Sequence, residues 1–199
     1  MRLCWLTQYV PIPSPDPESA FDFWMTYLLN YETMFWNPTS YVVERDSPDY
    51  EENFAFVLRR VLYIGINLVG GTIHNTTQWS DRLQEDLNWI QINFERNRDN
   101  IDVMVVFSHS DPSIQSNAPF FDSFHQSLIS DYKIATILMH RNLGTEGWNV
   151  QQNYNGITDY VDLVVEGGIW PPMRVEIDAV GGIFIFNQDT WYDALLSGN

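Results

Sequence analysis

Two histidines carry the chemistry this chain could do. The run Ile101-Asp-Val-Met-Val-Val-Phe-Ser-His109-Ser-Asp-Pro112 places five consecutive apolar residues, Val103 to Phe107, ahead of His109 and breaks on Pro112. About thirty residues on, Tyr132-Lys-Ile-Ala-Thr-Ile-Leu-Met139 runs into His140 and Arg141. An unbroken apolar run of this length reads as a strand buried on both faces. In an open α/β sheet, ligands collect beyond the carboxyl ends of the strands, where both imidazoles would be presented. Imidazole there can ligate a metal, move a proton or bond to a backbone carbonyl, and the repetition leaves all three open.

Several elements must hold these two strands. Residues 9–17 carry four prolines, so 1–18 reads as an extended segment and 19–199 as a single domain. Phe21, Trp24, Met25, Leu28, Leu29 and Phe35 recur at steps of three and four, predicting a helix over 19–36 that Asn37-Pro38 ends. After a polar, acidic connector from Glu44 to Asn53, Phe54–Leu58 and Val61–Val69 flank Arg59-Arg60 and predict a hairpin with a solvated tip. Gly70-Gly71 follows, where the backbone can turn or approach a ligand. A second helix, capped by Thr76 or Thr77, carries the stripe Trp79, Leu83, Leu87, Ile90 and Phe94.

Beyond His109 the spacing predicts a short helix over Phe120 to Ile129 and, from Arg141 to Asn155, a long loop without period. Three strand-like runs close the chain: Val161–Glu166, Met173–Asp178 and Ile183–Phe186, the last two fitting an antiparallel edge.

Composition excludes several functions. A formal net charge of −16 and a pI near 4.3 argue against a nucleic-acid backbone or an anionic membrane surface as the main partner. Cys4 is the only cysteine, so neither an internal disulfide nor a cysteine-based zinc site can form. No apolar run reaches the length of a membrane span. Neither Gly-x-Ser-x-Gly nor a phosphate-cradling or dinucleotide glycine motif occurs.

Residues 54–178 resemble the C-terminal half of a calcineurin-like metallophosphoesterase. The resemblance rests on Gly65-Ile-Asn67, the helix beginning near Trp79, Val105-Val-Phe-Ser-His109-Ser-Asp-Pro112 and the strand ending at His140. It implies an α/β fold, a partial two-layer β-sandwich flanked by helices. It also implies two divalent metal ions at the strand ends, with His109 and His140 as metal ligands, and a phosphate mono- or diester as substrate. Two cations about four ångströms apart activate water and stabilise the oxygens of an in-line displacement. The family's Gly-His-x-His stands here as Met139-His140-Arg141-Asn142, and its upstream Asp-x-His, Gly-Asp and Asn-His motifs have no counterpart. The chain is therefore expected to be either a fragment or a degenerate homologue of that hydrolase lineage, incomplete or inactive as it stands, and to self-associate through an apolar sheet edge.

Asp102, Asp111 and Glu146 are candidate carboxylates, and Glu146 and Trp148 candidate pocket residues. His74 and His125 read as surface or packing residues. A second expectation, from a different class, is a non-catalytic interaction domain in which the two histidines lie apart or are occupied by hydrogen bonds.

Overall fold

The structure, a computed structural model, describes residues 22, 25–26, 29, 41–70, 73–141, 148–165 and 173–187. Cys4, the prolines at 9–17, Glu146 and most of the helix expected over 19–36 lie outside these residues. Within that helix, Asp22, Met25 and Thr26 are helical, and Thr26 Oγ1 donates to the Asp22 carbonyl at 2.8 Å.

The fold is α/β, built on one mixed seven-stranded sheet. Strands β2 (Phe54–Leu58) and β3 (Val61–Gly65) form the expected hairpin, with Leu58 paired to Val61. Arg59 and Arg60 form its turn, at φ 51° and 63°. Two positive φ values in a two-residue loop match the right-handed twist of the flanking strands. The tip is fastened as well as solvated: Arg60 donates to Asp102 Oδ1 at 2.6 Å, and Asp102 N–H donates to the Arg60 carbonyl at 2.9 Å.

From β3 the chain crosses three times to the next parallel neighbour, giving β3, β4 (Val103–Phe107), β5 (Ala135–His140) and β7 (Tyr160–Val164) side by side. Antiparallel strands flank them: β1 (Glu44–Arg45) outside β2, and β6 (Asn149–Gln152) outside β7. The stretch expected as a loop from Arg141 to Asn155 thus contains β6. Its Asn-Val-Gln-Gln is too short and polar to show a period, and only pairing with β7 makes it a strand. Both outer strands are short, and β6 exposes Asn149, Gln151 and Gln152, which blunts the apolar sheet edge expected from sequence.

Helices α1 (Thr76–Asn97) and α2 (Ala118–Ser127) cover one face of the sheet. Asn75, rather than either threonine, caps α1: its Oδ1 accepts from Thr77 N and Gln78 N at 3.0 and 3.1 Å. Leu83, Ile90 and Phe94 of α1 and Phe120, Phe121 and Phe124 of α2 share a core with Ile64, Met104, Val106, Leu138 and Tyr160 of the sheet.

The opposite face, from Val103, Val105 and Phe107 to Ile137 and Leu163, is covered by a separate hairpin of β8 (Arg174–Asp178) and β9 (Ile183–Asn187). Alternation decides this placement: Val175, Ile177, Phe184 and Phe186 point inward. The two runs expected at a sheet edge therefore pair with each other across the face. The second layer is two strands wide among the described residues, not a full sheet. None of the described helices is long and apolar enough to cross a membrane.

Gly65 shows how tightly this sheet is dressed. Its cross-strand partner is Phe54, whose ring lies over it, so a Cβ on Gly65 would fall 2.1 Å from Phe54 Cε1. That ring also stacks beside Phe56 and Phe107, at centroid distances of 6.4 and 6.5 Å. Gly65→Ala is expected to displace Phe54 and cost about 1–3 kcal/mol, read as a lower urea midpoint at unchanged m-value.

Candidate functional site at the carboxyl edge

The four parallel strands end at one edge, and the loops leaving them are tied together. His109 and Ser110 donate their N–H groups to the Leu68 carbonyl beyond β3, at 3.2 and 2.9 Å. Ser108 N–H donates to the Met139 carbonyl of β5 at 2.9 Å, and Ser108 Oγ to the Ser110 carbonyl at 2.9 Å. These bonds fix His109 two residues past β4, half-buried. Burial, and then the positive charge of Arg141, holds its imidazole below the ordinary histidine pKa, so the neutral ring is favoured.

His140 has a different setting. It is the last residue of β5, on the helix face with Leu138, and only 3% exposed. Its Nε2 lies 3.0 Å from Oδ1 of Asp162, a buried carboxylate on β7, and its Nδ1 lies 3.4 Å from the Arg141 carbonyl oxygen.

Asp162 also acts on a neighbouring aromatic group. His125 Nε2 is 3.3 Å from the Tyr160 hydroxyl, and its Nδ1 is 3.4 Å from Asn155 Nδ2. Burial lowers the His125 pKa, while Asp162 and Asp122 oppose the shift. Tyr160 is raised well above the ordinary tyrosine value by burial and by Asp162.

The two ligand candidates from sequence thus end adjacent strands at one edge, yet His140 is committed to Asp162. Asp111 is buried, and its Oδ1 accepts from Ser113 N at 2.6 Å. Asp102 belongs to the opposite edge with Arg60, and His74 is exposed. Trp148 packs on the hairpin face against Ile137, Val161 and Leu163. A cleft of about 370 Å³ lies at the amino ends of β5 and β7, walled by Leu128, Lys133, Ile157 and Asp159, away from both histidines.

A two-metal centre does not fit these groups. Among the described residues no three His, Cys, Asp or Glu side chains converge as a metal site.

The edge also carries a cation. Arg141, half-buried directly after β5, makes no ion pair among the described residues, although the chain carries 26 Asp and Glu. Neither Arg141 nor Asp162 stands out in the sequence. Arg141 looks like loop, and Asp162 interrupts an apolar run as an outward-facing strand residue would. Comparison with protein families, characterised proteins and solved structures returns no match for this chain.

Proposed function

We propose that the carboxyl edge of β4 and β5 binds the phosphoryl group of a phosphate ester, within the phosphoesterase lineage that the sequence resembles. The observation that carries this reading is that His109 and Arg141 follow the ends of adjacent central strands, near enough for the guanidinium charge to add to burial in lowering the imidazole pKa. A guanidinium supplies a fixed fork of donors that matches phosphate oxygens, and a neutral imidazole adds one N–H without further charge. In a chain of net charge −16, such a local cation is what lets an anion approach. Recognition here is by protein donors.

The chain has four histidines, so their ring C–H signals in a proton NMR spectrum report the site directly. Titration with p-nitrophenyl phosphate is expected to move the His109 signal saturably. Arg141→Ala removes a charge-assisted bond worth about 1.5–3 kcal/mol, a loss of about 10- to 150-fold in affinity. An unmoved His109 signal, or equal affinity in the variant, overturns the reading. The interaction-domain reading then leads, supported by Ile183 and Ile185, which stand 54% and 55% exposed on the outer face of the β8–β9 hairpin.

A further inference from the structure

A second polar cluster lies under the β3 exit, and its hydrogen bonds are one proton short. Asn53, at the start of β2 and fully buried, donates its Nδ2 to Asp46 Oδ2 at 3.2 Å and to Asp86 Oδ1 at 3.0 Å. Its Oδ1 accepts the Asn67 N–H at 2.8 Å. Asn67 Nδ2 donates to Glu52 Oε1 at 2.9 Å, and Arg82 on α1 pairs with that same oxygen. Glu52 and Asp86 each receive the donors of this cluster on one oxygen only. Glu52 Oε2 and Asp86 Oδ2 are both buried with no hydrogen-bond partner.

Two buried, unpartnered carboxylate oxygens in one network call for a further donor or the loss of a charge. A metal ion would need converging ligands, and among the described residues Glu52, Asp86 and Asp46 do not form a group that could hold one. A single proton suffices, because it turns one orphaned acceptor into a donor and removes one buried charge.

We infer that Asp86 is held as a neutral carboxylic acid, a one-proton site clamping the segment between β1 and β2 onto α1 and the β3 exit. The proton belongs to Asp86 because Glu52 has a guanidinium and an amide for partners, whereas Asp86 has one amide and is the more deeply buried. The charged groups facing Asp86 are Arg82 on α1 and Glu52 and Asp46 on the segment between β1 and β2; the β3 exit adds only uncharged Asn67.

Burial pushes the Asp86 carboxyl up to about 7, with Glu52 and Asp46 adding to the rise and Asn53 and Arg82 opposing it. The folded state then holds a proton that the unfolded chain releases near the ordinary carboxylate value of 3.8. The stabilisation is therefore present at low pH, erodes as pH rises from about 4 to about 7, and is gone above that range. Deprotonation loosens Asn67 and with it Leu68, whose carbonyl holds the His109 and Ser110 amides. The site would thus set the order of the carboxyl edge by pH, whether or not that edge binds a phosphate ester.

Carboxyl carbon-13 NMR of the full chain, with urea unfolding between pH 5 and 8.5, tests this. Wild-type Asp86 is expected to titrate near 7, with stability falling over the same range. Asp86→Asn should remove that fall and make the protein more resistant to urea than wild type at pH 8. Glu52→Gln removes the facing anion and should lower the Asp86 midpoint by about one pH unit or more. An Asp86 signal already anionic at pH 6 overturns the proposal, and so does a midpoint unmoved by Glu52→Gln. Both NMR arms stand even if Asp86→Asn fails to fold.

Discussion

His140→Ala is expected to cost about 3–5 kcal/mol of stability, enough to threaten folding of a domain of ordinary stability. The cost comes from the partner left behind. Asp162 is 3% exposed and faces the His140 imidazole, so truncation strands a buried carboxylate. Asp162→Asn keeps an acceptor oxygen near Nε2 and should cost less, about 1 kcal/mol, the net worth of an ordinary hydrogen bond. Replacing both residues by leucine should recover most of the loss, because a buried pair exchanged for apolar side chains of similar volume is often neutral. Urea unfolding of the four proteins measures these losses.

Phe124→Ala should cost a similar amount, about 3–5 kcal/mol, by another route. Its ring is fully buried where α2 meets the sheet, stacked on Phe120 at 5.7 Å and edge-on to Tyr160 at 6.1 Å. Aromatic neighbours cannot collapse into the space, so the cavity persists. The loss should appear as a lower thermal midpoint. Because Tyr160 also meets His125, the His125 NMR signal should shift while that of His109 stays in place. Phe121→Leu, which keeps most of the buried volume, should remain within about 1.5 kcal/mol of wild type.

The sequence showed elements that announce themselves by apolar pattern. Val103–Phe107 is buried at every position, and the hairpin around Arg59-Arg60 falls where two apolar runs meet a two-residue break. The stripe on α1 was only half legible. Leu83, Ile90 and Phe94 are buried as expected, but so are Asp86, Trp89 and Asn93, while Trp79 and Leu87 are only partly covered. Hydrophobic periodicity cannot mark a polar residue at a core position, since its place depends on a partner distant in sequence. Asp86 meets Asn53 from 33 residues away, and Asp162 meets His140 from 22. The same limit hid β6, which is a strand only because β7 lies beside it. The histidines could be placed at strand ends because strand ends are legible. Which of them was already spoken for could not.

The strand order has a consequence for how the molecule comes into being. Read across the sheet, the strands run β1, β2, β3, β4, β5, β7, β6, so nearly every strand lies beside the one made just before it. A chain leaving a ribosome from its amino end can lay down this sheet in the order of synthesis, each new strand finding its template already in place. The exception is β6, which touches β7 and not β5. It must wait, unpaired, until the residues after it have docked. The corner that carries His140 and Asp162 is therefore the last of the large sheet to close, and a polar β6 is suited to that wait, offering little apolar surface to neighbouring chains.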